Sequence, residues 1–130
     1  MKGFVNYIPA KFVFGSGVFD KLSDEKLPGR KALIVISGGK STRATGYLDR
    51  LEKQLDKMSI AYALFDKVEA NPLKATVMAG SKVARENACD FVIALGGGSV
   101  MDAAKAIAAM AVNDGDLWGY ILFGKGGKKP

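Results

Sequence analysis

Hydrophobic and polar positions form two kinds of pattern along this chain, and the two kinds alternate. Three continuous apolar runs, without the polar positions of a half-exposed strand, predict strands covered on both faces at residues 32–37, 60–65 and 91–95. Three further segments carry apolar residues at helical spacing and predict helices at residues 47–58, 73–87 and 99–112. Strands that alternate with helices in this way predict an α/β fold whose parallel sheet is connected by right-handed crossovers.

The N-terminal region predicts a β-hairpin ahead of that sheet. Residues 12–14 (FVF) form a short apolar strand that ends at two nearby glycines, and residues 1–8 are its predicted partner. Because edge strands pair readily with other chains, these N-terminal strands are also the predicted surface for a homodimer.

The composition suits one domain spanning residues 1–130, since 48% of the residues are hydrophobic and a core of that size can be buried. No apolar run reaches the roughly 18 residues that a membrane-spanning helix needs, and the N-terminus lacks the apolar segment of a signal peptide. We therefore expect a cytoplasmic protein with no membrane partner. Residues 124–130 are predicted to be a loop tail, and such an ending predicts that the domain is incomplete.

The net charge of +6 raises the question of nucleic acid, but three of the positive charges lie in the last six residues. The sequence has no basic stripe interleaved with aromatic residues and no zinc-ligand spacing, so we expect no nucleic-acid partner. A basic surface suits an anionic cofactor equally well. The single cysteine, Cys89, lies beside a predicted strand and is expected to be a small buried hydrophobe.

Three consecutive glycines, Gly96, Gly97 and Gly98, stand between the third predicted strand and the third predicted helix. Glycines allow backbone amides to approach a ligand closely, and the start of a helix adds free N–H groups and a positive dipole end. The usual dinucleotide fingerprint fails, because Met101 stands where its last glycine is needed. A second explanation is helix capping, with Ser99 as the cap and an acidic residue three positions later completing a capping box.

A second glycine cluster, Gly38, Gly39, Lys40 and Ser41, follows the first predicted strand. It resembles the end of a P-loop, but Ile34 stands where that motif requires its first glycine. NAD-binding domains usually carry a carboxylate at a strand end for the ribose 2′-hydroxyl, and residues 37–41 offer none. They offer hydroxyls, amides and a cation, which predict a 2′-phosphate and hence NADP, with NAD less favoured. A plain polar turn that caps the next helix is the alternative.

Three segments together resemble the N-terminal portion of the iron-dependent (group III) alcohol dehydrogenases. These segments are residues 14–17 (FGSG), 68–72 (VEANP) and 96–105 (GGGSVMDAAK). The loop at residues 38–41 is similar to the branch that contains butanol dehydrogenases and NADPH-dependent aldehyde reductases. The resemblance implies a Rossmann-like, three-layer cofactor domain, and a helical metal-binding domain that is absent from this chain.

The resemblance also implies roles for particular residues. It implies that Gly97, Gly98 and Ser99 contact the pyrophosphate, that residues 38–41 contact the 2′-phosphate, and that Asn71 approaches the adenosine. Asn71 also has the simpler interpretation of a turn former before a proline. In this family an aspartate and three histidines hold Fe²⁺ or another divalent metal for hydride transfer with a small alcohol or aldehyde. This sequence contains no histidine, so we assign no catalytic and no metal residue and expect the 130-residue chain alone to be catalytically inactive.

Two other functions remain open at this point. One is a stand-alone nucleotide-binding module without catalysis. The other is the cofactor domain of a glycerol or polyol-phosphate dehydrogenase, or of a dehydroquinate synthase-like enzyme, because these enzymes have a glycine turn in a similar setting.

Overall fold

A parallel sheet of three strands forms the centre of the computed structural model, which describes residue 3 and residues 7–121. Strand β1 (Lys31–Ser37) lies between β2 (Ala61–Val68) and β3 (Phe91–Ala94), and both pairings are parallel. Ile34 is the register partner of Leu64 on one side and Ile93 on the other. The predicted parallel α/β sheet is therefore confirmed.

Three helices cover the two faces of the sheet: α2 (Tyr47–Lys57), α3 (Lys74–Glu86) and α4 (Gly98–Val112). A short helix, α1 (Ser41–Ala44), precedes α2 and buries no residue. Helix α2 packs on the face formed by the even-numbered residues of β1, and α3 and α4 pack on the face formed by its odd-numbered residues. From β1 the chain passes to β2 at one edge of the sheet, and from β2 it crosses to β3 at the other edge. Right-handed connections in opposite directions put their helices on opposite faces, which gives the expected three layers.

The middle strand explains why its sequence shows no alternation. Residues 32–36 of β1 are all 0% exposed, since helices cover both faces and strands cover both edges. The two outer strands are less buried, and β2 carries polar residues in its second half. Helix α1 is a short element that the hydrophobic pattern does not predict.

Helices α3 and α4 approach each other closely at Gly80. An ideal Cβ on Gly80 would lie 2.5 Å from Cδ1 of Ile107 and 3.2 Å from Cε1 of Phe65. Helix α3 buries Val77, Gly80, Ser81 and Ala84, and its partly exposed Met78 packs against the same core.

Arg85 joins the same two helices at their far ends. Its guanidinium donates hydrogen bonds to the backbone carbonyls of Met110, Ala111 and Asn113 at the end of α4. The last carbonyls of a helix have no partner within the helix, so this side chain supplies one.

Cys89 packs against the core between the sheet and helices α3 and α4, and burial raises the pKa of its thiol, in line with the small-hydrophobe prediction.

The predicted N-terminal hairpin is not formed among the described residues. Residues 12–14 adopt no strand, and Phe14 is fully exposed. A strand needs a neighbour for its backbone hydrogen bonds, and this segment pairs with neither outer strand of the sheet, which consists of β2, β1 and β3 among the described residues. Its predicted partner, residues 1–8, lies largely outside the described residues, as does the predicted tail 124–130.

A 3-10 helix at Val18–Asp24 follows instead, and a buried glutamine of α2 anchors it. The Gln54 side chain donates to the carbonyl of Phe19 over 2.8 Å and accepts from the N–H of Ser23 over 3.1 Å. Within the described part of the chain, no helix is long and apolar enough to cross a membrane.

We expect Gly80→Ala to lower the free energy of unfolding. Alanine gains about 1 kcal/mol of helix propensity over glycine, but forcing a methyl into a filled core costs about 1–3 kcal/mol. Ile107 is 0% exposed, so its side chain cannot turn out into solvent to make room. Urea unfolding followed by circular dichroism measures the difference.

Gly98→Ala is the matched control, because a Cβ there meets nothing within 4 Å. It should leave stability close to that of the wild type. Ile107→Val removes the Cδ1 atom that the new methyl meets, so Gly80→Ala should cost less in that background. Equal stability of the wild type and Gly80→Ala would contradict the close approach of α3 and α4.

Candidate functional site

A cleft of about 290 Å³ opens at the edge of the sheet where the parallel strands end. The strand order β2-β1-β3 means that the chain leaves β1 towards one side and returns on the other side. In open α/β sheets, ligands bind at such a reversal, outside the carboxyl ends of the strands. The cleft is lined by residues that follow each of the three strands, namely Ser37, Ser41, Thr42, Glu69, Ala70, Gly96, Gly97, Gly98, Ser99 and Val100.

The three glycines of the turn after β3 serve two different purposes. A Cβ on Gly96 would lie 2.8 Å from Cγ2 of Val100, so this glycine lets the turn pack against the first turn of α4. Gly97 and Gly98 have no atom within 4 Å of the corresponding position. Since both line the cleft, a side chain at either position would project into open space that a ligand is able to fill.

Helix α4 begins inside the cleft and offers free donors there. Its first turn starts at Gly98, and the first helical hydrogen bond of this turn runs from the N–H of Met101 to the carbonyl of Gly97. The N–H groups of residues 98–100 precede that bond and have no intrahelical acceptor. Together with the helix dipole they form an anion-binding site of the kind that phosphates occupy.

The capping interpretation of Ser99 is wrong. Gly97 occupies the capping position, no side chain caps the helix there, and Ser99 lies within the first turn. The Asp102 carboxylate is 3.8 Å from the Lys105 ammonium one turn further on, which is the pair expected from their spacing. Because neither residue is needed to cap the helix, the amide and hydroxyl of Ser99 remain available at the cleft.

Of the four residues predicted to bind the cofactor in the loop after β1, only one lines the cleft. Ser41 lines the cleft, whereas Gly38, Gly39 and Lys40 do not. The N–H of Gly38 donates to the carbonyl of Val68 over 2.9 Å, which holds the loop across the end of β2. The capping alternative for this loop also fails, since no side chain caps α1.

Glu69 and Ala70, which follow β2, form a wall of the cleft that the sequence interpretation missed. The Glu69 carboxylate accepts hydrogen bonds from Oγ1 of Thr76 over 2.7 Å and from the N–H of Leu73 over 3.2 Å. The Thr76 hydroxyl is the main cause of a Glu69 pKa below its ordinary value. Glu69 therefore brings a fixed negative charge to a cleft whose other walls offer donors.

Asn71 stands beside this wall without lining the cleft. Its φ of 57° is in the left-handed region, which an asparagine tolerates better than most residues. This conformation supports its interpretation as a turn former before Pro72. The signal that identifies Glu69 and Ala70 was present in the sequence, because residues directly after any parallel strand meet at this same edge.

A larger groove of about 460 Å³ lies between the 3-10 helix at Val18–Asp24 and the end of β3. Its lining is mainly apolar side chains, including Val18, Leu22 and Ile93. It lacks the glycine turn and the helix start that make the smaller cleft suitable for phosphate, so we assign the candidate site to the smaller cleft.

Comparison with known proteins agrees with this geometry. The sequence model described as "Iron-containing alcohol dehydrogenase" matches residues 9–130. The chain belongs to this family. The family resemblance inferred from the glycine turn is therefore confirmed.

Individual members of the family show how much of it this chain represents. The NADH-dependent butanol dehydrogenase A of Clostridium acetobutylicum is 41% identical over 93% of this chain and 31% of its own length. The NADPH-dependent aldehyde reductase YqhD of Escherichia coli is 33% identical over 99% of this chain and 33% of its own length. The crystal structure of NADH-dependent butanol dehydrogenase A from Thermotoga maritima superposes with a TM-score of 0.84 at 37% identity, covering 91% of this chain and 30% of that one.

The chain thus spans about a third of the length of these oxidoreductases. Among residues 3 and 7–121, no three His, Cys, Asp or Glu side chains are grouped in a way that holds a metal ion. The donor set that an iron centre of this family requires is therefore not found in the described part of this chain.

We expect Thr76→Val to raise the pKa of Glu69 towards its ordinary range. Valine keeps the shape of threonine but removes the hydroxyl that stabilises the charged carboxylate. An NMR titration of the side-chain carboxyl carbon measures this pKa. Thr42→Val is the control, because it removes a threonine hydroxyl that lines the cleft and is not a cause of the Glu69 shift, so it should leave the pKa of Glu69 unchanged. The same Glu69 pKa in the wild type and Thr76→Val would contradict the assigned hydrogen bond.

Proposed function

We propose that this chain is the nicotinamide-dinucleotide-binding domain of an oxidoreductase that interconverts small alcohols and aldehydes. The observation that carries the proposal is the glycine turn, where Gly97 and Gly98 leave open space beside the free amides at the start of α4. A pyrophosphate needs such a combination of close backbone approach and unpaired N–H donors. Membership of the family supports the reaction class.

In the proposed binding mode, the amides of Gly98, Ser99 and Val100 hold the pyrophosphate. The adenosine ribose then lies towards Ser41 and Thr42, which line the cleft. Asn71, next to the lining residue Ala70, is the proposed neighbour of the adenine. These groups bind and orient the cofactor, and the hydride itself belongs to the nicotinamide.

For the choice of dinucleotide we propose NADP. The loop at residues 38–41 combines backbone amides, a serine hydroxyl in the cleft and the cation Lys40. The relatives named for NADH include proteins 38% and 41% identical to this chain, and the relative named for NADPH is 33% identical. The proposal of NADP therefore rests on the residues of this loop and not on the names of the relatives.

Three further properties of the whole protein are proposed with it. A divalent metal such as Fe²⁺ polarises the substrate oxygen from a part of the protein outside the described residues. The protein is cytoplasmic. A homodimer through the N-terminal segment stays a prediction, and the exposed side chains of Tyr7, Phe12 and Phe14 are consistent with a surface that a partner covers.

The glycine turn provides the test of cofactor binding. We expect the wild-type chain to bind NADPH, and Gly97→Val and Gly98→Val each to weaken binding about tenfold or more, since loss of the close approach removes about 1.4 kcal/mol or more. Titration of NADPH fluorescence measures the affinity. The backbone of Gly97 has a negative φ of −86°, so valine is tolerated there and the fold should persist.

Ala108→Val is the control, since it places a valine at an exposed position of α4 that does not line the cleft. It should bind NADPH as the wild type does. An unchanged affinity in both glycine variants would contradict the proposed site, and a wild-type chain that binds no dinucleotide would contradict the proposed function.

A further inference from the structure

An ion pair joins the short helix α1 to β2, beside the loop that follows β1. Nη2 of Arg43 in α1 is 2.5 Å from Oδ2 of Asp66 in β2, with the two side chains 49% and 43% exposed. Arg43 directly follows Thr42, which lines the cleft. Arg43 is therefore the arginine nearest in sequence to the residues of this loop that line the cleft. Its guanidinium is already paired with the Asp66 carboxylate.

The backbone explains why these two residues meet. The loop crosses the end of β2, where the Gly38 N–H bonds to the Val68 carbonyl. A Cβ on Gly38 would lie 3.4 Å from the carbonyl oxygen of Asp66. The Asp66 backbone is thus packed directly under the loop whose residues are proposed to hold the 2′-phosphate.

We propose that Asp66 determines cofactor specificity by competing with the 2′-phosphate for Arg43. This inference rests on the proposed binding of a nicotinamide dinucleotide. When the ribose carries a 2′-hydroxyl, the Arg43–Asp66 pair remains closed. When it carries a 2′-phosphate, the guanidinium turns from Asp66 to the phosphate. Asp66 therefore lowers the affinity for NADP and leaves the affinity for NAD unaffected.

The energies involved make such an exchange feasible. A guanidinium matches the oxygens of a phosphate in a bidentate geometry and binds a dianion strongly. The half-exposed pair that it must give up is of the kind worth only about 0.2–1 kcal/mol, because water and salt screen it. Converted to affinity, that range predicts an effect of up to about fivefold from Asp66.

The test compares two probes that differ only in the 2′-phosphate, namely ADP-ribose and 2′-phospho-ADP-ribose, with binding to the full chain measured by calorimetry. Asp66→Asn keeps the shape of the side chain and removes its charge. We expect this variant to bind the phosphorylated probe about two- to fivefold more tightly and ADP-ribose as before. Arg43→Gln should weaken binding of the phosphorylated probe alone.

The double variant distinguishes competition for Arg43 from simple charge repulsion. If Asp66 acts through Arg43, Asp66→Asn has no effect on either probe in the Arg43→Gln background. If Asp66→Asn keeps its full effect there, Asp66 repels the phosphate directly and the inference is wrong. Glu86→Gln is the control. It removes the carboxylate of another exposed ion pair, that of Lys82 and Glu86 at the C-terminal end of α3, and should change the affinity for neither probe.

The remaining outcomes separate this inference from the proposed function. If the wild-type chain binds both probes and Asp66→Asn changes both affinities equally or changes neither, the inference fails and the proposed function stands. If the wild-type chain binds neither probe, the proposed function fails and the inference fails with it.

Discussion

Complete burial of β1 is the constraint on which the rest of this structure depends. Residues 32–36 lose all contact with water only because helices cover both faces of the strand and β2 and β3 cover both of its edges. Parallel neighbours require long crossovers, and the helices of those crossovers supply the two covering layers. The same arrangement brings the carboxyl ends of all three strands to one edge, where the chain reverses direction on either side of β1. The position of the cleft therefore follows from the way in which the core is buried.

Chemistry at that edge comes from groups that the fold leaves unpaired. Helix α4 starts with free N–H groups in the cleft, while its far end is satisfied by Arg85 from α3. The carbonyls at the C-terminal end of α4 are thus paired within the protein, and the N–H groups at its N-terminal end remain available to an anion. Close packing of α3 against α4 at Gly80 fixes the direction of α4, and so links the hydrophobic core to the site.

The sequence predicted the strands and helices well wherever a pattern was local, and it failed where a partner decides the outcome. Strand β2 continues to Val68 beyond its predicted end, because its ladder with β1 shifts register after Phe65 and resumes at the pair Ser37 and Val68, with Asp66 and Lys67 in the irregular step between them. Residues 12–14 have the composition of a strand, but no strand pairs with them in the part of the chain that the structure describes. Helix α4 begins at Gly98 and not at Ser99. Gly97 occupies its capping position, and no side chain caps the helix. Glu69 is not among the predicted residues, because the carboxylate of an NAD site was expected at the end of β1, although the loop after β2 lies at the same edge of the sheet.

The central claim is that the amides at the start of α4 bind a pyrophosphate. The most direct measurement is a titration of the ¹⁵N-labelled chain with ADP-ribose, followed by amide chemical shifts. The account predicts that the amide signals of Gly98, Ser99 and Val100 shift most and saturate together, with smaller shifts at Ser41 and Ala70. Shifts that leave these three amides unchanged, or that cluster instead around Leu22 and Ile93 in the larger apolar groove, would contradict it.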